Sequence, residues 1–116
     1  MSSSNSSKGR IVLVELPFTN LTGSKSRPSL VVSSDAYNQN SPDVVVAKIT
    51  GSGYGTPYEL ALNASMLKSG ALNKPCFIDL GSLWTVEKKL ISRGIASLDE
   101  KSVKLCDERI RKVFGL

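Results

Sequence analysis

The stretch RIVLVELPFTNLTGSKSRPSLVVS, residues 10–33, sets two apolar runs on either side of a polar loop. The first run, residues 10–16, is short and rich in Val and Ile, which predicts a β-strand. The second run, residues 30–33, predicts another strand. Residues 17–27 between them predict a loop that turns at Gly23. Short strands of this kind, repeated along the chain, are typical of a small β-protein.

The loop brings one arginine, Arg27, to the start of the second run, and Pro28 biases Arg27 toward an extended backbone. Arginine is always charged, and its planar fork of donors suits phosphate. Thr50 ends the next apolar run, where a side chain is held on a rigid element and can still face a groove. Taken alone, Arg27 is typical of a surface ion pair and Thr50 of an ordinary strand.

The rest of the chain predicts more short strands and one clear helix. The strands are predicted over residues 44–50, 57–62, 74–80 and 82–86, the last of which continues the one before it or stands as a sixth strand. The nearly unbroken apolar character of residues 44–50 predicts a central place in the sheet. The chain is therefore predicted to be mainly β with a C-terminal α-helix, folded as a small, strongly curved antiparallel sheet or barrel.

Helix signals occur at three places. Ser34 and Asp35 predict a capped single turn, and residues 63–70 predict a short helical or turn segment that ends at a glycine. Ser97 and Glu100 predict a capping box that opens the C-terminal helix. The apolar face of that helix is predicted from residues at helical spacing, which are Val103, Cys106, Ile110, Val113 and Phe114.

Length and composition indicate one globular domain. The chain has 116 residues, of which 41% are apolar and 22% charged, enough for a single core. We expect this domain to span residues 9–116 and the Ser- and Asn-rich residues 1–8 to form a disordered tail. Residues 1–8 contain no apolar stretch typical of a secretory signal. No apolar run approaches the roughly 20 residues that cross a bilayer, so we expect no membrane partner.

Charge and the lack of histidine limit the possible functions. The net charge is +5 and the sequence contains no histidine. A basic chain suits a polyanionic partner. Without histidine, the usual Ser-His-Asp and Cys-His triads and the imidazole base of many nucleases are excluded. Any catalysis must therefore use Arg, Lys, Thr, Ser, Tyr or carboxylates.

The residues that most often bind metals give no such pattern here. Cys76 and Cys106 lack zinc spacing, and reduced thiols are favoured over a disulfide between them. The carboxylates near the strands form no paired motif, so surface or turn roles are expected for Asp35, Asp43, Glu59 and Asp79. No metal site and no cofactor are predicted.

The segment of residues 51–55 carries three glycines. It matches neither the dinucleotide fingerprint nor the P-loop, and no helix pattern follows it. A mobile loop beside a binding groove is the alternative. Tyr54 and Tyr58 suit stacking on bases of single-stranded nucleic acid, or packing against the sheet; packing is favoured for Tyr58.

Four segments together resemble the MazF/PemK toxin family. They are GRIVLVELPFTNLTGSKSRPSLVVSSDAYN (residues 9–38), VVAKITG (45–51), TPYEL (56–60) and TVEKKLI (85–91). The resemblance covers residues 9–116, and the Arg-Pro after the first loop together with the Ile-Thr that ends the third strand is its most specific part. It implies an SH3-like β-barrel with a C-terminal helix that works as a cytoplasmic homodimer.

The resemblance also implies an activity. Members of the family are metal-independent endoribonucleases that cut single-stranded RNA at short sequences, leaving a 2′,3′-cyclic phosphate and a 5′-hydroxyl. A cognate antitoxin of the MazE/PemI kind inhibits them, and DNA is contacted only through the antitoxin complex. Arg27 and Thr50 fall on the family's catalytic positions. The expected RNA-binding residues are Thr19, Ser24, Lys25, Lys48, Ser52 and Tyr54.

The chain departs from the family in its acidic residues. Gly9-Arg10 replaces a frequent Gly-Asp, Ser24 and Lys25 replace a glutamate found in some relatives, and Gly81-Ser82 replace a frequent acidic residue. Two alternatives therefore stay open. One is a non-nucleolytic binder on the same barrel, like the gyrase-directed CcdB toxins, and the other is a plain nucleic-acid-binding module.

Overall fold

The computed structural model describes residues 6–17 and 24–116. Seven antiparallel strands form one sheet in the order β4-β6-β3-β2-β1-β7-β5. The strands are β1 (Arg10–Pro17), β2 (Ser24–Val31), β3 (Asp43–Thr50), β4 (Glu59–Leu62), β5 (Leu67–Gly70), β6 (Cys76–Glu87) and β7 (Ile91–Leu98). The helices are α1 (Asp35–Asn40) and α2 (Glu100–Phe114). The predicted class, mainly β with a C-terminal helix, is confirmed.

The sheet buries apolar side chains on both faces, because alternate residues of its inner strands point to opposite sides. One face carries the large core, which consists of Ile11, Leu30, Ala47, Ile49, Leu62, Ile78, Leu80, Ala96, Leu98 and Cys106. The other face carries the valine core, which consists of Val12, Val14, Val31, Val44, Val46 and Val86. Helix α2 covers the large core, since Val103 and Ile110 pack beside the buried Cys106. Leu90 and Ile91 pack against the valine core.

Register shifts curl the sheet. The pairing of β1 with β7 shifts twice, and the pairing of β3 with β6 shifts between Ala47 and Lys48. Such bulges bend a strand and increase its twist. In β6 the shift absorbs the residues between Asp79 and Leu83 within one 12-residue strand. Of the two alternatives for residues 82–86, continuation of the preceding strand is therefore confirmed. The prediction that β3 lies inside the sheet is confirmed.

The predicted start of β2 is wrong. The strand begins at Ser24, so Arg27 lies within a strand rather than at the end of a loop. The strand tolerates Pro28 because its pairing with β3 is confined to Ser29 and the two residues after it, while β1 pairs along the whole strand. A proline removes only its own donor, and here no β3 partner is paired with it.

Two strands were missed, and the predicted capping box is wrong. β5 and β7 carry interleaved small and polar residues that hide their strand character. Ser97 pairs with Arg10 inside the sheet instead of capping a helix. The cap of α2 is Asp99, whose Oδ1 accepts a hydrogen bond of 2.7 Å from the Ser102 amide. Cys106 is buried on the predicted apolar face, whereas Phe114 is largely exposed.

The segment before β1 is tied to α1, which begins after the predicted cap, Ser34. Asn38 is buried and donates from Nδ2 to the carbonyl of Ser6, and the Lys8 amide donates to Asp35. The predicted tail covered residues 1–8. Residues 6–8 belong to the folded domain, while residues 1–5 lie outside the described part of the chain.

Both cysteines are free thiols. Burial raises the pKa of Cys76, and it raises the pKa of Cys106 to about 12 with a contribution from Asp107. In residues 6–17 and 24–116, no helix is long and apolar enough to cross a membrane.

The cap of α2 predicts a pH-dependent stability. Hydrogen bonds from Ser102 lower the pKa of Asp99, so the unfolded chain takes up the proton before the folded one does. The stabilising contribution is complete above about pH 4, the ordinary range of an aspartate, and is lost as pH falls through the lower folded value. Asp99→Asn keeps a capping side chain without the charge. We expect the difference in melting temperature between wild type and Asp99→Asn to shrink below pH 4.

Thermal unfolding between pH 7 and pH 2, followed by circular dichroism, measures this difference. Asp99→Ala serves as the control, because it loses the cap as well as the charge and should be less stable than Asp99→Asn throughout. A constant difference between wild type and Asp99→Asn over the whole range would contradict the assignment.

Candidate nucleic-acid interface

A row of side chains crosses five strands on the face of the valine core. In antiparallel pairs, residues directly opposite each other point to the same face. In order across the sheet, the row contains Val12, Ser29, Lys48, Asp79 and Glu59, on β1, β2, β3, β6 and β4. The row begins in the valine core and ends in polar residues at the edge of the sheet. Of these polar side chains Lys48 is exposed, Asp79 is half-buried, and Ser29 and Glu59 are buried.

The adjacent row contains the two predicted catalytic residues. Arg27 pairs with Val14 of β1, and Thr50 pairs with Phe77 of β6. Continuing the register of β2 and β3 by two residues beyond Ser29 brings Arg27 level with Thr50. Because each residue is two positions from the first row, both side chains lie on the same face. The two strands are paired only as far as Ser29 and Lys48, two residues short of Arg27 and Thr50.

Arg27 is exposed. Within residues 6–17 and 24–116, no hydrogen bond or salt bridge engages its guanidinium. Its backbone is fixed by β1 on one side, and Val14, its partner, is fully buried. A charged fork on a rigid strand with unoccupied donors can bind a phosphate in two-point fashion.

Thr50 is the last residue of β3, and hydrogen bonds of its hydroxyl to the backbone of Ser52 close a tight turn. Oγ1 accepts from the Ser52 amide at 3.3 Å and donates to the Ser52 carbonyl at 3.2 Å. These hydrogen bonds orient the hydroxyl at the point where the strand enters the glycine-rich loop. Ser52 is itself exposed.

Lys48 is exposed and lies between the two carboxylates and Ser29 in its row. Its cross-strand partner Asp79 accepts from the Gly81 amide and from the Ser82 hydroxyl, each at 3.0 Å. These hydrogen bonds stabilise the irregular turn of β6. The carboxylate of Asp79 is thus committed to its own strand, and the positive charge of Lys48 faces solvent.

Glu59 departs from the surface role expected for it. Its side chain is buried, at 8% exposure, and accepts three backbone hydrogen bonds from the loop of residues 51–58. Both oxygens accept from the Tyr54 amide, at 3.0 and 2.8 Å, and Oε1 also accepts from the Gly55 amide at 2.8 Å. Little in the sequence indicates this role, since Glu59 is one polar residue of an alternating strand.

The aromatic residues near this face differ in exposure. Tyr54 is 83% exposed and its ring is available for stacking. Tyr58, for which packing against the sheet was favoured, is exposed. Trp84 was not among the predicted site residues, yet it pairs with Val46 and is 53% exposed on the face of the valine core. The alternation of side chains along β6 could have placed Trp84 on this face. The register shift, which was not predicted, obscured that alternation.

Three predicted RNA-binding positions are not tested by the described side chains. Thr19 lies outside the described residues, and Ser24 and Lys25 enter the description only as backbone positions of β2. Within the residues that are described, no group of three or more His, Cys, Asp and Glu side chains is arranged to hold a metal ion.

A family model of PemK-like and MazF-like toxins of type II toxin–antitoxin systems matches residues 7–114, nearly the whole chain. The chain belongs to this family. The resemblance inferred from the sequence is therefore confirmed, and the boundaries agree with the folded part of the MazF/PemK toxin described above. No curated protein sequence is significantly similar to the chain.

Solved structures share the fold at low sequence identity. An endoribonuclease in complex with its cognate antitoxin, from a mycobacterial species, matches with a TM-score of 0.76 and 18% identity over 95% of each chain. The Mycobacterium tuberculosis toxin MazF-mt6 matches with a TM-score of 0.75 and 23% identity over 92% of this chain and 97% of that one. A MazE–MazF structure from Deinococcus radiodurans matches with a TM-score of 0.73 and 20% identity, over 95% and 96%.

Proposed function

We propose that this toxin is an endoribonuclease that cuts single-stranded RNA at short sequences without a metal ion. The observation that carries the proposal is the register of β2 and β3, which pairs Ser29 with Lys48 and, if continued by two residues, would set Arg27 opposite Thr50. Arg27 is exposed, and its guanidinium has no salt bridge within the described residues. Membership of the PemK-like and MazF-like family supports the proposal, as do structural neighbours described as endoribonucleases.

The proposed chemistry uses the substrate's own nucleophile. The 2′-oxygen attacks the adjacent phosphorus, the bond to the 5′-oxygen breaks, and the proton lost by the 2′-hydroxyl is balanced by one gained at the 5′-oxygen. The products are a 2′,3′-cyclic phosphate and a 5′-hydroxyl. Arg27 binds the non-bridging oxygens and offsets their growing charge, and Thr50 donates a hydrogen bond to the same phosphate. Loss of one such preorganised donor typically lowers the rate by about 10²–10³.

This scheme fits a chain without histidine. Its main requirement is fixed positive charge where the phosphorane develops, and strand backbones hold such charge better than loops do. The two nearest carboxylates of the face accept hydrogen bonds from backbone amides and from Ser82, so the cations Arg27 and Lys48 stay available to the substrate.

Partners follow from the same proposal. We infer a cytoplasmic homodimer that is inhibited by a MazE/PemI-like antitoxin and that contacts DNA only within the antitoxin complex. Support comes from neighbours described as bound to a cognate antitoxin and as a MazE–MazF assembly. The exposed cationic face suits an acidic antitoxin segment for the reason that it suits RNA.

The first test is cleavage of a long single-stranded RNA in EDTA, with the ends identified by sequencing. Wild type should produce discrete cuts with cyclic-phosphate ends. Arg27→Ala and Thr50→Val should each lower kcat by about 10²–10³, because each removes one donor to the phosphate. Arg27→Lys should recover little, since an ammonium cannot form the two-point contact. Arg111→Ala, an exposed arginine of α2, is the matched control.

Uncut RNA, or cutting that Arg27→Ala leaves unchanged, would rule out the proposed enzyme. Capture of DNA gyrase without ribonuclease activity would instead favour the CcdB-like alternative. Binding of RNA without any cutting, together with no antitoxin partner, would favour the plain binding module.

A second prediction concerns Lys48, which should contact the RNA backbone rather than the bases. Lys48→Ala should weaken binding similarly for all sequences and reduce the slope of log K against log[salt] by about 0.7, the value for one contact with single-stranded nucleic acid. Fluorescence anisotropy with 2′-O-methyl RNA, which cannot be cut, measures the slope. Lys101→Ala on α2 is the control and should leave it unchanged. An unaltered slope in Lys48→Ala would exclude this contact.

A third prediction uses Trp84, the only tryptophan in the chain. If bases reach this part of the face, 2′-O-methyl RNA should quench its emission, and Trp84→Ala should weaken binding by about tenfold or more, as for loss of one stacked base. Trp84→Phe keeps an aromatic face and should bind nearly as well as wild type. Binding by anisotropy without quenching would place the RNA elsewhere.

A further inference from the structure

The carboxylate of Glu59 is held in an unusual environment for a negative charge. It is buried, and the salt bridges within the described residues join other pairs, Lys8 with Asp107 and Lys89 with Glu87. Its charge is balanced by the amides of Tyr54 and Gly55, which donate three hydrogen bonds of 2.8–3.0 Å. Successive backbone amides that converge on one anion form a nest, and the resulting hydrogen bonds are stronger than neutral ones.

Gly53 fits against the same carboxylate. A β-carbon at Gly53 would lie 3.0 Å from Glu59 Oε1 and 3.1 Å from Cγ of Phe77. Phe77 is in turn the cross-strand partner of Thr50. The loop therefore presses its backbone onto the face of the valine core, immediately beside the proposed catalytic threonine. By contrast, a β-carbon at Gly51 would meet no atom within 4 Å.

The other end of the loop is held from the opposite side. Arg109 of α2 donates from Nη1 to the carbonyls of Pro57, at 2.6 Å, and Glu59, at 3.2 Å. The Leu80 amide donates to the carbonyl of Tyr58 at 3.0 Å. The loop is thus anchored at its middle by a carboxylate and at its end by a guanidinium and a strand amide. Two of its glycines fit these contacts, since Gly55 has a φ of +77° and Gly53 leaves no room for a β-carbon beside Glu59.

We propose that Glu59 is a positioning residue that fixes the loop of residues 51–58 in one conformation, so that Ser52 and Tyr54 stand beside Thr50 and select the RNA that is cut. This rests on the proposed endoribonuclease function. Glu59 is not a general base in this arrangement, because both of its oxygens are occupied by backbone amides and its side chain is buried. Its effect on the substrate passes through the loop.

Two variants remove the anchor in different ways. Glu59→Gln replaces one acceptor oxygen by an amide group that opposes the donating amides, and leaves the volume unchanged. Gly53→Ala keeps the carboxylate but places a methyl group against it and against Phe77. Gly51→Ala is the matched control, since it makes the same change two residues away in open space. If Glu59→Gln does not fold, Gly53→Ala still tests the proposal.

Hydrogen exchange followed by mass spectrometry tests the anchor without any RNA. In wild type the amides of Tyr54 and Gly55 should be protected. Glu59→Gln and Gly53→Ala should raise their exchange by about tenfold or more, because hydrogen bonds to a charged acceptor are lost. Gly51→Ala should exchange as wild type does. Unchanged exchange in both Glu59→Gln and Gly53→Ala would overturn the proposal.

Cleavage kinetics test the effect on the substrate. Glu59→Gln and Gly53→Ala should raise KM and broaden the set of sequences that are cut, with kcat changed much less than in Arg27→Ala. Arg111→Ala on α2, which lies outside the loop, should retain the wild-type cut sites. Faster exchange with KM and cut sites unchanged would refute the role in substrate selection. If wild type cuts no RNA, the proposed enzyme fails, and the exchange data still decide whether Glu59 holds the loop.

Discussion

Burial of both faces of the inner strands is the constraint on which the rest of the structure depends. β1, β2 and β3 alternate between the large core and the valine core, so their register cannot slip by one residue without exposing apolar side chains and burying polar ones. The valine core is shorter than the strands that carry it. Where it ends, the same strands continue with Arg27, Lys48 and Thr50 on that face. The candidate site therefore lies where the valine core ends, on strands that the core holds in place.

Within the part of the chain that the structure describes, the acidic residues Asp79 and Glu59 form no salt bridge with the cations of this face. Asp79 is engaged by Gly81 and Ser82 of its own strand, and Glu59 by the amides of the neighbouring loop. These carboxylates already accept hydrogen bonds from backbone amides and a hydroxyl group. An additional ion pair with a lysine or arginine would contribute little to stability at an exposed surface. The result is a face on which cations remain available and anions are occupied, which is the electrostatic arrangement that a polyanion requires.

The sequence allowed the mainly β class and the inner position of β3 to be predicted, because both rest on local apolar runs. The choice of Arg27 and Thr50 as site residues rests on family-specific residues and stays a prediction. The sequence did not allow β7 to be predicted, since a strand whose neighbours cover it can carry Ser, Arg and Gly. Trp84 was missed for a related reason: its orientation depends on a register shift, and bulges leave no clear local signal. The anchoring role of Glu59 depends on a loop conformation that only tertiary contacts define.

Helix α2 takes part in the site although it packs on the other face of the sheet. Cys106 fixes the helix in the large core, and Arg109, three residues later and so one turn along the same side, reaches the carbonyls of Pro57 and Glu59. β4 is an edge strand, so its preceding loop is accessible from both faces. A carboxylate on the valine side and a guanidinium on the helix side hold that loop between them. Arg109 therefore links α2 directly to the loop that follows Thr50, rather than through the strands that carry Arg27 and Thr50.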